Sequence, residues 1–183
     1  MKTKFAFLRQ FIRNPRTIGS IVPSSPLLGK AMASFLPEGD DKLILELGPG
    51  TGPITRELFK SGVTMDQLVC LEQSEKLVNH MRARFPGINI IHGDACELET
   101  LLENRKVDAI VSCLPLKSIP KPIVAKIIQQ MEVCLKDDGV LIQFTYNLRK
   151  KRSPLIAHFR HVGSRIIVGN VPPARVDAFQ LKK

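Results

Sequence analysis

The chain has 183 residues, of which 44% are hydrophobic, and a formal net charge of +10. This length and apolar content indicate one globular domain with a sizeable buried core. No uncharged apolar run approaches the roughly 18 residues that a membrane-spanning helix needs. Arg9 and Arg13 interrupt any signal-peptide core. We therefore exclude a transmembrane protein and expect the chain to stay in the cytoplasm.

The charge is unevenly distributed along the chain. Residues 1–37 contain six Lys or Arg and no acid, and residues 141–183 contain nine basic residues and one acid, Asp177. Residues 38–140 contain twelve basic and sixteen acidic residues. Two basic ends around a mildly acidic centre favour a polyanionic partner, either nucleic acid or an anionic membrane surface.

Cysteine usage bears on redox state and metal binding. The four cysteines are Cys70, Cys96, Cys113 and Cys134, and no two of them form a Cys-x-x-Cys pair. Three of them lie beside Val or Leu in apolar stretches. We therefore expect reduced, mostly buried thiols and no metal site.

The first predicted element is an amphipathic helix over residues 3–13. Phe5, Leu8, Phe11 and Ile12 lie on its apolar arc together with Phe7, and Lys2, Arg9 and Arg13 cluster on the opposite side. Such a face either packs on a core or lies in a membrane interface. The basic residues, with no acid among them, favour the membrane. Residues 1–37 are therefore expected to form a docking helix and lid segment, followed by the main domain over residues 38–183.

The next predicted helix covers Leu27 to Phe35, because Ser25 is a favourable N-cap and Pro26 a favourable first helical residue. From Leu43 onward, strands and helices alternate as in a doubly wound fold. The predicted strands are Leu43–Leu47, Gln67–Glu72, Ile88–His92, Val107–Cys113, Val140–Thr145, Ser164–Gly169 and Arg175–Gln180. The predicted helices between them are Ile54–Ser61, Glu75–Phe85, Cys96–Glu103, Pro122–Cys134 and Ser153–His161. This order predicts an α/β fold with a mostly parallel seven-stranded sheet and an antiparallel C-terminal strand.

The turn after the first strand is the most informative motif. Gly48, Gly50 and Gly52 let a nucleotide-like ligand approach the backbone, as in Rossmann folds. Glu46, just before them, would repel a pyrophosphate but suits the cationic aminoacyl end of S-adenosylmethionine. Glu72 ends the second strand, where an acid accepts ribose hydroxyls. These residues predict S-adenosylmethionine as methyl donor, with S-adenosylhomocysteine as product.

Further positions at strand ends complete the predicted cofactor site. Asp94 and Ala95 follow the third strand, where an acid and a small residue commonly hold the adenine amino group, although Asp94 would also suit a helix N-cap. Gln73 follows Glu72 directly. Ser112 and Leu114 lie at the end of the fourth strand, which faces the ligand crevice of a doubly wound sheet.

The acceptor is predicted from the ends of the fourth and fifth strands. Enzymes that methylate base nitrogens usually place a polar residue and an aromatic where this chain has Cys113 and Leu116, so a nucleobase would lack its partner and its stacking platform. Tyr146, the only tyrosine, either holds an ammonium group on its ring or lies at the edge of the core. The basic run Arg149–Arg152 is either a solvated face or a phosphate contact.

Taken together, these segments resemble the small bacterial phospholipid N-methyltransferases, which make phosphatidylcholine from phosphatidylethanolamine. The resemblance covers nearly the whole chain and is carried by the glycine turn and by Phe11–Pro15, Val22–Ser25, Cys113–Leu116, Gln143–Tyr146 and Asn170–Ala174. It implies a class I, Rossmann-like methyltransferase domain that binds S-adenosylmethionine through Glu46, Gly48, Gly50, Gly52, Glu72 and Asp94. It also implies docking through the N-terminal helix on the inner face of the cytoplasmic membrane.

We accordingly expect Tyr146, Arg149, Ser24 and Ser25 to contact a phospholipid substrate, with Tyr146 acting at the reacting amine. An anionic membrane is the expected partner, without nucleic acid or metal. Two alternatives stay open. One is an RNA adenine N6-methyltransferase of the more distantly related dimethylating type, and the other is a non-catalytic, membrane-bound S-adenosylmethionine-binding protein.

Overall fold

The structure is a computed structural model that describes residues 25–148 and 153–182. The strands in these ranges are β1 (Ile44–Leu47), β2 (Leu68–Glu72), β3 (Asn89–His92), β4 (Val107–Ser112), β5 (Leu135–Thr145), β6 (Phe159–Ile167) and β7 (Ala174–Leu181). The α-helices are α1 (Pro26–Ala33), α2 (Pro53–Lys60), α3 (Glu75–Arg84), α4 (Leu98–Leu101) and α5 (Lys121–Cys134). The expected N-terminal helix, with Lys2, Phe5, Leu8, Arg9, Phe11, Ile12 and Arg13, lies outside the described residues, as do Ser24 and Arg149–Arg152.

The seven strands form one sheet in the order β3-β2-β1-β4-β5-β7-β6. Strands β1 to β5 run parallel to one another, and β7 runs antiparallel to both β5 and β6. The predicted doubly wound, mostly parallel sheet is therefore confirmed. Because the strand order reverses between β1 and β4, a ligand crevice opens at the edge where β1 to β5 end. We call this the crevice edge.

The central strands consist mostly of apolar residues because helices cover both faces of the sheet. Every residue of β1, β2 and β4 is buried. Helices α1, α2 and α3 cover one face, which we call the α2 face, with core residues such as Met32, Ile54 and Met81. Helix α5 covers the opposite face, the α5 face, with residues such as Ile127 and Met131. The glycine turn is thus supported by a rigid, close-packed centre.

Helix α1 is part of this packed domain. Leu28 and Met32 are completely buried, and a Cβ added at Gly29 would lie 2.5 Å from Cβ of Glu57 on α2. Ser25 is the expected N-cap, since its Oγ accepts a hydrogen bond from the Leu28 amide at 3.3 Å. Within the part of the chain that the structure describes, no helix has the length and apolar character needed to cross a membrane.

The prediction for the C-terminal part was wrong in one element. The expected helix Ser153–His161 is only a 3-10 turn at Pro154–Ala157, and Phe159 already begins β6. Strand β6 pairs with β7 from Phe159 to Ile167, and this long-range ladder overrides a weak local helical pattern. The predicted strand Ser164–Gly169 is therefore the second half of a longer strand.

Two other boundaries also moved. Strand β5 begins at Leu135 and so includes residues 135–139, which precede the predicted start of this strand at Val140. In that segment the ammonium of Lys136 lies 2.8 Å from Asp108 of β4, which holds the two strands together there. The expected helix Cys96–Glu103 is a 3-10 turn followed by the short helix α4.

Candidate active site

The three glycines of the turn have different structural roles. All three have positive φ values, +69° at Gly48, +62° at Gly50 and +79° at Gly52, a conformation that favours glycine. A Cβ at Gly48 would lie 2.9 Å from Cδ2 of Leu114, and one at Gly52 would lie 2.5 Å from the ring of Phe85. Around Gly50, in contrast, nothing lies within 4 Å of the added atom. Gly48 and Gly52 therefore permit close packing, whereas Gly50 borders open space in the crevice.

Glu72 joins the end of β2 to the glycine turn. The Gly50 amide donates to Oε2 of Glu72 at 3.2 Å, and the Ser74 amide donates to Oε1 at 2.9 Å. Only 5% of Glu72 is exposed, and this burial raises the pKa of its carboxyl group. Glu72 and the glycine turn are therefore in contact at the crevice edge, and the contact of Glu72 with ribose hydroxyls stays a prediction.

Glu46 lies beneath the turn rather than on its open side. Its side chain is wholly buried, and Oε2 accepts hydrogen bonds from Oγ1 of Thr55 at 2.7 Å and from Sγ of Cys70 at 3.7 Å. Burial raises the pKa of Glu46 to about 7. The other oxygen, Oε1, has no hydrogen-bond partner among the described residues. Contact with a cofactor ammonium stays a prediction, and Oε1 is the atom available to make it.

Asp94 has the N-cap role that the sequence left open. Its Oδ1 accepts from the Cys96 amide at 2.9 Å, at the start of the 3-10 turn that contains the buried Ala95. Its Oδ2 accepts from Nε2 of Gln73 at 3.0 Å. The ends of β2 and β3 are thus linked on the side of the crevice where adenine is predicted to bind. The adenine contact itself stays a prediction.

Ser112 and Gln143 end neighbouring strands on the α5 face and are paired in register. The Gln143 amide donates from Nε2 to the Leu114 carbonyl at 3.1 Å and so orients the segment after β4. Oγ of Ser112 and Oε1 of Gln143 are both buried, without partners in the part of the chain described. Gln143 was not among the predicted site residues. Its signal in the sequence is one polar residue within the apolar run Val140–Phe144.

The crevice edge fits S-adenosylmethionine. Oε1 of Glu46, Oγ of Ser112 and Oε1 of Gln143 are buried polar atoms in need of partners, at or beside the ends of β1, β4 and β5. Such atoms are normally satisfied in proteins, and the cofactor carries an ammonium group and ribose hydroxyls. Open space at Gly50 and the acid at Glu72 add room and an acceptor. These acceptor and hydroxyl groups therefore match the ammonium and hydroxyl donors of the predicted cofactor.

Tyr146 lies at the mouth of the crevice, just beyond the end of β5. It is 37% exposed, and its ring packs edge-on against Phe144 at a centroid distance of 5.7 Å. The Asn170 side chain interacts with its hydroxyl group, and burial raises the pKa of Tyr146, so the hydroxyl stays protonated at neutral pH. Leu116, in contrast, is buried, with 6% exposure. It is therefore not available to stack on a base.

Asn170 connects three segments around Tyr146. It is 2% exposed, and its Nδ2 donates to the Pro172 carbonyl at 2.6 Å. Its Oδ1 accepts from the Ser25 amide at 3.4 Å. Ser25 thus lies near the crevice mouth with its hydroxyl engaged in capping α1, and its substrate role stays a prediction. The sequence pointed to residues 170–174 as a motif but assigned Asn170 no role.

Comparison with known proteins adds a family. The model of the family described as ribosomal RNA adenine dimethylase matches residues 1–154. An ornithine lipid N-methyltransferase of Singulisphaera acidiphila is 30% identical over 151 residues, which cover 79% of either protein. A ribosomal RNA small subunit methyltransferase A of Methylococcus capsulatus is 31% identical over 142 residues, or 75% of this chain and 49% of that protein. The chain therefore spans about half the length of that second relative.

Solved structures show the same fold. The 1,6-didemethyltoxoflavin-N1-methyltransferase of Burkholderia thailandensis, with S-adenosylhomocysteine bound, superposes with a TM-score of 0.73 at 14% identity, covering 98% of this chain and 89% of that one. The N-methyltransferase NodS of Bradyrhizobium japonicum, also with S-adenosylhomocysteine, gives a TM-score of 0.65 at 16% identity, covering 86% and 84%. Relatives named for lipid and for RNA substrates both match, so the family leaves the acceptor open. The chain belongs to the ribosomal RNA adenine dimethylase family and is a class I methyltransferase that uses S-adenosylmethionine.

Proposed function

We propose that this enzyme methylates the amine of a membrane lipid, with phosphatidylethanolamine and its methylated derivatives as acceptors on the way to phosphatidylcholine. The observation that carries the proposal is the half-exposed Tyr146 ring at the crevice mouth. The relative from Singulisphaera, named for N-methylation of an ornithine lipid, supports a lipid amine. The proposed partner is the anionic inner face of the cytoplasmic membrane, to which the enzyme would bind through its N-terminal amphipathic helix.

The topology brings Tyr146 within reach of the cofactor site. Strand β4 lies between β1 and β5, so the ends of β1 and β5 are two strand spacings, or about 10 Å, apart. The face of an aromatic ring attracts a cation, and a lipid amine becomes permanently charged once it carries three methyl groups. A neutral tyrosine ring can therefore hold the headgroup through successive rounds without itself titrating.

The chain's residues have separate tasks in the transfer. When bound, S-adenosylmethionine supplies an electrophilic methyl group on a sulfonium. Gly50 leaves room for it, and Glu46 and Glu72 offer carboxylate oxygens to its ammonium and ribose. Tyr146 would orient the acceptor nitrogen, whose lone pair would form the new N–C bond as the C–S bond breaks and S-adenosylhomocysteine leaves. Such positioning is itself a large source of rate enhancement.

The amine must lose a proton before it attacks. With an ordinary pKa of about 10.4 for an alkyl ammonium, deprotonation at pH 7 costs about 5 kcal/mol. Desolvation in the crevice, beside the positive sulfonium, lowers that pKa. The released proton goes to water, and we assign no protein base to this step.

Adenine dimethylation of RNA is the second candidate, favoured by the family model and by the Methylococcus relative. Two features of the site count against it. Leu116, where a base would need an aromatic platform, is packed in the core of the α5 face. Leu114 closes over the glycine turn at Gly48. The end of β4 therefore offers no aromatic side chain on which a base could stack.

The test uses labelled S-adenosylmethionine and the full chain. Vesicles of phosphatidylethanolamine with phosphatidylglycerol, vesicles containing an ornithine lipid, and ribosomal RNA are offered separately, and the products are separated. We expect label in mono-, di- or trimethylated phosphatidylethanolamine. Label found only in the ornithine lipid would support a lipid amine as the acceptor, but with an ornithine headgroup instead of phosphatidylethanolamine. Label only in RNA would overturn the proposal, and cofactor binding without any transfer would favour the non-catalytic alternative.

A further inference from the structure

We infer that the turn between β6 and β7 is a second membrane-docking element, which inserts Val168 and Val171 into an anionic phospholipid surface beside the active site. We call residues 168–173 the docking turn. Val168 is 76% and Val171 72% exposed, more than any other large hydrophobic residue in the part of the chain described. The choice of a lipid surface rests on the proposed function. The position of the turn follows from the strand pairing and does not depend on the proposed function.

The apolar surface continues beyond the turn itself. A Cβ added at Gly169 would lie 2.9 Å from Cδ1 of Leu27, so the start of α1 lies against the docking turn. Leu27 is 52% exposed, and Leu148, just after β5, is 43% exposed. Tyr146 interacts with Asn170 of the turn, and exposed apolar residues gathered at one edge of a domain mark interaction sites. We call Leu27, Tyr146, Leu148, Val168 and Val171 the docking surface.

The register of the sheet places this surface at the crevice edge. Ile167 of β6 pairs with Ala174 of β7, and Arg175 of β7 pairs with Thr145 at the end of β5. The docking turn therefore projects beside Tyr146, at the same edge as the glycine turn. A bilayer that contacts the turn would face the crevice mouth, and a lipid headgroup could enter without leaving the surface.

The charges around the docking surface match an anionic membrane. Next to the docking turn, β6 and β7 carry Arg165, Arg175 and one acid, Asp177, whereas Arg160 and Lys182 lie at the opposite end of these strands. That acid is 2% exposed, and its Oδ2 lies 2.7 Å from Nη2 of Arg175. The exposed charge of this segment is therefore basic. Helix α1 adds Lys30 and no acid, and each basic residue near an anionic surface contributes on the order of 1 kcal/mol.

Asn170 holds the turn in shape. It is buried between the turn and the start of α1, and it donates to the Pro172 carbonyl and accepts from the Ser25 amide. Val168 and Val171 are thus presented from a braced support, so little conformational freedom is lost when they insert. A membrane is the occupant that uses both properties, the apolar tip and the basic surroundings.

The first test uses fluorescence, because the chain has no tryptophan. The variant Val171→Trp places a single reporter in the docking turn, and Val133→Trp places the matched reporter on α5, where Val133 is 38% exposed. With vesicles of phosphatidylethanolamine and phosphatidylglycerol, we expect a blue shift and quenching by acyl-chain bromolipids only at position 171. Unshifted emission at position 171 from vesicle-bound protein would overturn the inference.

The second test measures affinity for the same vesicles by flotation. The double variant Val168→Ser/Val171→Ser should bind about tenfold more weakly, because it loses inserted apolar groups. The control Val133→Ser/Val162→Ser changes two exposed valines outside the docking surface and should bind as the wild type does. Equal affinities of both double variants would contradict the inference.

Other occupants give different results. If a second copy of the chain covers the docking surface, the double variant will lose self-association in sedimentation and keep its vesicle affinity. If residues 1–24 cover it, the double variant will lose thermal stability without vesicles and keep its vesicle affinity. Either result overturns the inference. A wild type that inserts Val171 but labels no lipid would instead contradict the proposed function and leave the docking turn in place.

Discussion

The amide of Gly50 and the carboxylate of Glu72 are 3.2 Å apart, although 22 positions separate them in the chain. This hydrogen bond connects the two parts of the predicted cofactor site, the glycine turn after β1 and the acid that ends β2. The same bond places a hydrogen-bond acceptor, Oε2 of Glu72, at one side of the open space around Gly50. Any group added to Gly50 would therefore fill the region where the cofactor ribose is expected.

Gly50→Arg should abolish cofactor binding. Gly50 has open space around it and a positive φ, so the arginine would strain the turn and fill the crevice. We expect the affinity for S-adenosylmethionine to fall at least 100-fold in isothermal titration calorimetry, equivalent to about 2.7 kcal/mol. Gly62→Arg is the matched control, since Gly62 also has a positive φ and open surroundings but follows α2, away from the crevice edge. Tight binding by Gly50→Arg would refute the assigned cofactor site.

Glu46 should make stability depend on pH. Burial raises its pKa from 4.5 to about 7, so between these values the folded state binds more protons than the unfolded state. The free energy of unfolding therefore falls as pH rises through this window, by about 3 kcal/mol in all. Burial also raises the pKa of Glu72, which adds a slope of the same sign.

The variant Glu46→Gln isolates this effect. Urea denaturation of the wild type and the variant at pH 5, 6, 7 and 8 should show a much shallower fall in stability for the variant. Glu38→Gln, at an exposed position, should leave the wild-type slope unchanged. If Glu46→Gln keeps the full slope, the buried carboxyl group is not its source.

Tyr146 should act through its ring rather than through its hydroxyl group. Tyr146→Phe keeps the aromatic face and should retain most of the lipid methylation, whereas Tyr146→Ala removes the face. A cation–π contact is worth about 1 to 2 kcal/mol when partly desolvated, so we expect kcat/KM for the lipid to fall about tenfold in the alanine variant. Cofactor affinity, measured separately, should be the same in both variants. An equal fall of kcat/KM in Tyr146→Phe and Tyr146→Ala would show that the hydroxyl group, not the ring, is responsible.

Asn170 should position Tyr146 and the docking turn without touching the cofactor. Asn170→Ala removes the bonds to Pro172 and Ser25, and leaving buried groups unpaired costs about 1 to 3 kcal/mol. We expect a lower melting temperature, a higher KM for vesicle lipid and an unchanged Kd for S-adenosylmethionine. Thr145 Oγ1 accepts from the Asn147 amide, so Thr145→Ala is a control that also removes a polar contact beside Tyr146. A Kd for the cofactor that rises as much as KM would show a general loss of structure.

Local patterns were sufficient to predict much of the fold and the place of the candidate cofactor site in it. The apolar strand before Gly48, the spacing to Glu72 and the alternation of strands and helices are properties of short segments, and each depends on backbone geometry that the residues themselves dictate. The parallel sheet could be predicted because strands that are buried on both faces are mostly apolar. These features survive as predicted, within one or two residues at most boundaries.

Other features depended on partners far along the chain, and only the tertiary structure decided them. Phe159 begins a strand because β7 pairs with it, which no local pattern near Ser153 reveals. Glu46 is buried against Thr55 and Cys70 instead of facing the open turn, because the strand must place alternate side chains on opposite faces. The roles of Gln143, Asn170 and the docking turn depend on contacts across the sheet. The glycine turn, in contrast, could be predicted from the sequence because ten consecutive residues form it.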